Sequence, residues 1–136
     1  MTAEPVWMTP RMLRRLEDTV AELTGPGRTP DDTELARVRE LRDLIRRAET
    51  GPKPDDGLVE PGMVVTVRFE GDDEETTFLV GSRELAALDP NVDLEVYSPG
   101  SPLGQAIVGR HVGDTISYPA PNGTVRATVV AATPFG

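Results

Sequence analysis

Asp31, Asp32 and Glu34 stand within four consecutive positions of the chain. Carboxylates this close can share a Mg²⁺ ion, as in two-metal chemistry, because Mg²⁺ is commonly held by one or two carboxylates with water and substrate oxygens completing its shell. The same residues also suit the first turn of a helix. Asp31 with Glu34, or Thr29 with Asp32, has the spacing of a capping box, and carboxylates there take up open N–H groups and meet the positive end of the helix dipole. The residues alone leave both readings open; any metal would be a transient Mg²⁺ on Asp31 and Asp32, with no resident metal site.

The second stretch with a distinctive pattern runs from Ser98 to Asp114 and reads Ser-Pro-Gly-Ser-Pro-Leu-Gly-Gln-Ala-Ile-Val-Gly-Arg-His-Val-Gly-Asp. Two Ser-Pro pairs around a glycine make an exposed loop. Ser101 caps and Pro102 begins one or two helical turns, Gly109 suits the left-handed residue that ends them, and Gly113-Asp114 turns the chain into a strand. Leu103, Ala106 and Ile107 give that short helix an apolar face able to plug one end of a small sheet. His111 lies between two glycines and reads as a surface turn residue rather than a metal ligand.

Composition excludes several chemistries. The 136 residues include no cysteine, which removes disulfides, thiolate zinc sites and cysteine nucleophiles, and a single histidine argues against a Ser-His-Asp triad. A net charge of −9 argues against direct, sequence-specific nucleic-acid binding, which needs a basic face to displace counterions from phosphates. The acidity is uneven: residues 1–50 hold nine arginines and ten acids, whereas residues 51–136 hold five basic residues and thirteen acids. Arg11, Arg14, Arg15, Arg42, Arg46 and Arg47 read as a solvated face with local ion pairs to Glu17, Asp18 and Asp43, the other reading being contact with an acidic protein surface or RNA. No segment has the length to span a bilayer and the start lacks a signal-peptide pattern, so the expected location is the cytoplasm, with no membrane partner.

The elements that must position these residues follow from periodicity and punctuation. Thr9-Pro10 opens a helix with the stripe Leu13, Leu16, Val20 and Leu23, which ends by Thr24 before Gly25-Pro26-Gly27. Thr29-Pro30 and the acids open a second, with Leu35, Val38, Leu41, Ile45 and Ala48 in line and a stop at Thr50-Gly51-Pro52. Amphipathic helices joined by a short connection fold back as an antiparallel hairpin, here a short coiled coil with the acids at its tip. At about sixteen residues per arm and ~1.5 Å per residue, it projects ~25 Å. Trp7, ahead of the first helix, is an apolar anchor.

Residues 1–52 are thus expected as one domain, residues 53–60, rich in Gly, Pro and Asp, as a linker, and residues 61–136 as a second domain. In the second, Val65, Val67 and Phe69 alternate along Met63 to Phe69. Thr76 to Val80, Leu94 to Tyr97, Asp114 to Tyr118 and Thr124 to Ala131 complete five strands, the last two joined through Pro119 to Gly123 with its Asn-Gly turn. A helical segment is expected around Arg83 to Leu88, and the acidic run Glu70 to Glu75 as a hairpin tip. The fold class is α+β in two domains, a helical hairpin followed by a mostly antiparallel sheet with a short helix.

The run Ser-Pro-Leu-Gly, one residue, Ala, two residues, Gly, then Val-Gly-Asp resembles the signature of the C-terminal domain of the GreA/GreB family of bacterial transcript-cleavage factors, and a weaker likeness extends from Pro61 to Phe135. The resemblance implies an FKBP-like sheet wrapped round a short helix. It also implies that Gly100, Ser101, Pro102 and Leu103 dock on the rim of the secondary channel of bacterial RNA polymerase while the hairpin enters the channel. Hairpins in that family are longer, and length carries a pair of tip acids to the polymerase active site. The short hairpin therefore implies a short-coiled-coil, Rnk-type member that modulates or inhibits transcription without cleaving RNA: no enzyme, no catalytic residue, no cofactor. A GreA-like factor that stimulates transcript cleavage through Asp31, Asp32 or Glu34 is one alternative. A module for another protein, such as a regulator of nucleoside diphosphate kinase, is another. Phe69, Phe78, Tyr97, Tyr118 and Phe135 do not make the aromatic lining of a prolyl-isomerase pocket, so the second domain is expected to dock rather than catalyse. The hairpin uses up its apolar stripes internally, which makes a monomer the expectation.

Overall fold

The computed structural model describes residues 4–51 and 53–135 and has an α+β fold. By its internal contacts the chain divides into two compact units, Met1–Gly51 and Pro52–Gly136.

In the first unit, strand β1 (Val6–Trp7) leads into helix α1 (Pro10–Leu23), residues 24–31 turn the chain, and helix α2 (Asp32–Arg47) runs into strand β2 (Ala48–Glu49). The start of α1 is set by Thr9, whose hydroxyl oxygen accepts the Met12 N–H at 3.2 Å, and by Pro10 at the first position. Its end is set by Thr24, whose N–H and hydroxyl both donate to the Val20 carbonyl. The two helices pack together, with Met12, Leu16, Val38 and Leu41 buried. Met12 takes the buried place expected for Leu13, which is half-buried, and Leu35 stays 40% exposed. β1 and β2 pair in parallel, Val6 with Ala48 and Trp7 with Glu49, and the Met8 N–H donates to the Glu49 carbonyl at 3.1 Å. This pairing joins the entry of α1 to the exit of α2, and Trp7 is buried. Helix α2 ends at Arg47, ahead of the expected stop; Pro52, residues 1–3 and residue 136, which fall within the expected domain limits, lie outside the described residues.

In the second unit, β3 (Met63–Phe69), β4 (Glu75–Val80), β5 (Glu95–Tyr97), β6 (Thr115–Ala120) and β7 (Gly123–Pro134) form one sheet in the order β5-β4-β3-β7-β6. Two helices accompany it, α3 (Arg83–Ala86) between β4 and β5, and α4 (Pro102–Ile107) between β5 and β6. Neighbours are antiparallel except β4 and β5, which run parallel because the crossover through α3 returns the chain in the same direction. Met63, Val65 and Val67 of β3, Phe78 and Val80 of β4, and Ile116 of β6 face a core completed by Leu103 and Ile107 of α4. On β7 the core residues are Ala127, Val129 and Ala132, a spacing of two and then three. The register explains the change: Thr66 opposes Ala131 and Val67 opposes Val129, so Val130 is the extra residue of a β-bulge.

β6 continues through Pro119 to Ala120 instead of turning there, and a proline is tolerated because β6 is an edge strand, paired on one side only. Pro121 and Asn122 alone make the turn into Gly123, whose φ is +122°. The expected linker is tied down at its far end. Val59 N–H donates to the Arg110 carbonyl, Gly109 N–H to the Val59 carbonyl and Val112 N–H to the Gly57 carbonyl, while Lys53 pairs with Glu60 at 3.3 Å. No helix among the described residues is long and apolar enough to cross a membrane.

Candidate functional site

The Ser-Pro loop leaves β5 at Tyr97 and enters α4 at Pro102. Ser101 organises it with three bonds. Its Oγ accepts the Gly104 N–H at 3.0 Å and donates to the Ser98 carbonyl at 2.7 Å, and its own N–H donates to that same carbonyl at 3.1 Å. Gly104 has no room for a side chain, because a β-carbon there would meet the Ser98 carbonyl and come within 2.9 Å of Pro99 Cα. Farther along α4, Gln105 donates its backbone N–H to the Ser101 carbonyl at 2.8 Å and its side-chain Nε2–H to the Gly100 carbonyl at 3.1 Å. Gly100 and Pro102 are exposed and Ser101 is half-buried. Leu103, expected with them on the docking surface, is instead buried: one helical turn from Ile107, it faces the core and anchors α4.

Between the loop and β6 lies an open depression of about 330 Å³, walled by Gly100, Pro102 and Gln105 on one side and by Ser117, Tyr118 and Pro119 on the other. It carries no charged group. Burial raises the pKa of the Tyr118 hydroxyl, and burial together with the nearby Glu95 carboxylate raises that of Tyr97, so both rings stay neutral. Tyr97 stands edge-on to Phe78 with ring centroids 5.0 Å apart. After α4, Gly109 adopts φ +89° and His111 forms the expected surface turn, its N–H donating to Asp114 Oδ2 at 2.9 Å.

At the tip of the first unit, Asp31 and Glu34 form a reciprocal cap. Asp31 Oδ1 accepts the Glu34 N–H at 2.8 Å and Glu34 Oε1 accepts the Asp31 N–H at 3.2 Å. Glu34 Oε2 pairs with Arg28, a partner the sequence reading missed although its opposite charge in the preceding turn was the available signal. Asp32 is exposed. Among the described residues no group of three or more acids or histidines is placed to hold a metal ion. Farther down α2, Asp43 takes Arg46 on Oδ1 and Arg47 on Oδ2, both at 2.9 Å. The Arg46 hydrogen bond, with the charges of Arg46 and Arg47, holds the Asp43 carboxyl below its ordinary pKa against an opposing effect of desolvation.

Residues 53–134 match the family described as Transcription elongation factor, GreA/GreB, C-term. The chain belongs to the GreA/GreB family. A GreA/GreB relative from Streptomyces coelicolor, named transcription elongation factor GreA, is 38% identical over 151 residues, covering 90% of this chain and 89% of that protein. The transcription elongation factor GreA of Streptomyces avermitilis is 35% identical over 164 residues, covering 98% of this chain and 97% of its own. That alignment is longer than the 136-residue chain, so at least 28 of its positions are gaps on this side. Among solved structures, Thermus aquaticus Gfh1 aligns with 96% of this chain and 99% of its own at 24% identity and a TM-score of 0.48.

The expectation that the chain is no enzyme and stands apart from catalysis is corrected by these relatives, which carry the name GreA. The physical reason lies in how a cleavage factor works. A chain can assist a reaction centred on another protein, so the lack of a complete catalytic constellation among its own residues does not separate it from catalysis. The same names favour the GreA-like alternative over the cleavage-free, Rnk-type reading.

Proposed function

We propose that this chain is a GreA-like elongation factor that acts on RNA polymerase in the bacterial cytoplasm and stimulates cleavage of the transcript. The observation that carries the reading is the alignment of relatives named GreA over nine-tenths or more of the chain. In this reading residues 1–52 are an antiparallel hairpin, residues 61–136 are the Gre-type, FKBP-like domain, residues 53–60 link them, and the protein works as a monomer. Gly100, Ser101 and Pro102 dock on the rim of the secondary channel, and Leu103 holds them from below. The loop's internal bonds support this role, because a surface already ordered by Ser101 and Gly104 loses little conformational freedom on binding.

The tip supplies carboxylates. Asp31 and Asp32 would hold a Mg²⁺ shared with the polymerase, which when bound polarises a phosphate oxygen or acidifies a water. The cap with Glu34 fixes where the Asp31 carboxylate stands, and Arg28 neutralises Glu34 beside it. The 16 residues of α2 give the arm a length of ~24 Å.

The test is the rate of RNA cleavage in backtracked RNA polymerase complexes as the protein is titrated in. Acceleration that is abolished by Asp31→Ala with Asp32→Ala is the expected result. A protein that only slows the cleavage driven by another factor would overturn the proposal and point to a regulator that occupies the channel without assisting the reaction.

A further inference from the structure

We infer that Gln105 is a positioning residue of the docking loop: its side-chain amide fixes the Gly100 peptide in the orientation that the partner meets. The inference rests on the reading of Gly100 to Pro102 as the polymerase-docking surface. The rest of the loop is held through Ser98, Ser101 and Gly104, whose bonds and close approach leave little freedom. Gly100 is different. It has no side chain, it is exposed, and glycine has the widest choice of backbone angles; the peptide it begins is held on one edge by the Ser101 N–H bond to the Ser98 carbonyl and needs a second hold on its own carbonyl. Gln105 provides that hold, reaching back from α4 to donate Nε2–H to the Gly100 carbonyl at 3.1 Å while its backbone N–H bonds the next carbonyl, that of Ser101. The two bonds orient consecutive peptides. Gln105 is itself exposed and forms part of the wall of the uncharged depression facing Ser117 and Tyr118, so the group that sets the loop also shapes the surface beside it.

The chemistry required at this position is an N–H donor of glutamine-like reach. Methionine has the length and no donor, glutamate sets a second acceptor against the carbonyl, and lysine restores a donor.

The full-length protein and its Gln105→Met, Gln105→Glu and Gln105→Lys variants are titrated against bacterial RNA polymerase core enzyme, and amide NMR spectra of each free protein are recorded. Gln105→Met is expected to bind about threefold to tenfold more weakly, the range of one net hydrogen bond, Gln105→Glu more weakly still, and Gln105→Lys within about twofold of the wild type. In the cleavage assay the Met variant should raise the half-saturating concentration rather than lower the plateau. In the free proteins, the Ser101 amide should shift in the Met and Glu variants while the core amides stay in place, a readout that a general loss of stability would not give. Equal binding by wild type, Met and Lys, or an unmoved Ser101 amide, would sink the inference while leaving the docking reading intact. A wild-type protein that fails to bind core enzyme, with the Ser101 amide shifting as expected, would instead remove the docking reading and with it the assigned purpose of the bond.

Discussion

The carbonyl oxygen of Ser98 lies where a β-carbon on Gly104 would have to stand. Loop and helix are therefore stacked backbone on backbone at this point. The Ser-Pro-Leu-Gly sequence is a packing instruction as much as a surface motif.

Gly104→Ala tests that stacking. Both atoms in the way, the Ser98 carbonyl and Pro99 Cα, are backbone and cannot swing aside, so the loop must lift off α4. The expected cost is about 1–3 kcal/mol, seen as a lower urea midpoint, with weaker polymerase binding alongside. An unchanged midpoint would show that the loop yields freely.

Ser101→Ala removes the acceptor for the Gly104 N–H and the donor to the Ser98 carbonyl together. Loss of a helix cap of this kind costs about 1 kcal/mol, measurable as a lower melting temperature. Ser101→Asp keeps a side-chain acceptor and the backbone bond to Ser98 but loses the side-chain donor, and its melting temperature should fall between those of the wild type and Ser101→Ala.

The two tip aspartates should separate. Asp31→Ala breaks the cap with Glu34 and is expected to cost about 1 kcal/mol of stability as well as cleavage activity. Asp32→Ala removes an exposed carboxylate, and the expected outcome is an unchanged melting temperature with cleavage stimulation reduced about tenfold or more. If Asp32→Ala cleaves like the wild type in single-turnover assays, Asp32 is a surface acid only.

Asp43 sets an acid limb on the stability of the first unit. Its pKa in the folded chain lies below the ordinary 3.8, so its stabilising effect is complete above that value and is lost as the pH falls through the lower, folded one. Asp43→Asn should lower the thermal midpoint at pH 7, and the difference from the wild type should shrink toward pH 3. A constant difference across that range would assign the effect to packing rather than to charge.

The parts of the fold legible in the sequence were those with a repeated physical signal. Thr-Pro pairs marked the approach to α1 and α2, spacing of three and four gave most of their buried stripe, alternation gave β3, and the Asn-Gly turn marked the hairpin of β6 and β7. What stayed hidden depended on partners distant in sequence. β1 and β2, at two residues each, are too short to carry a period. The parallel register of β5 is decided by the crossover through α3, and Val130 is a bulge only because β3 opposes it with one residue fewer. At the loop, Ser101 and Pro102 were readable as cap and first position. Leu103 was read both as part of the apolar face with Ile107 and as part of the docking loop, and its burial with Ile107 in the core matches the first of these. The hold of Gln105 on Gly100 and of Arg28 on Glu34 involves side chains with several equally good choices, and only the folded backbone selects one.

The pairing of Val6 with Ala48 and Trp7 with Glu49 closes the first unit at the point where the chain enters and leaves it. Everything between is a loop clasped at its neck. Helical turns added to or removed from both arms at the far end change how far the acids stand from the clasp, yet leave the pairing of the clasp itself untouched. In the proposed reading, the reach of the tip is therefore set separately from the Gly100 to Pro102 docking surface.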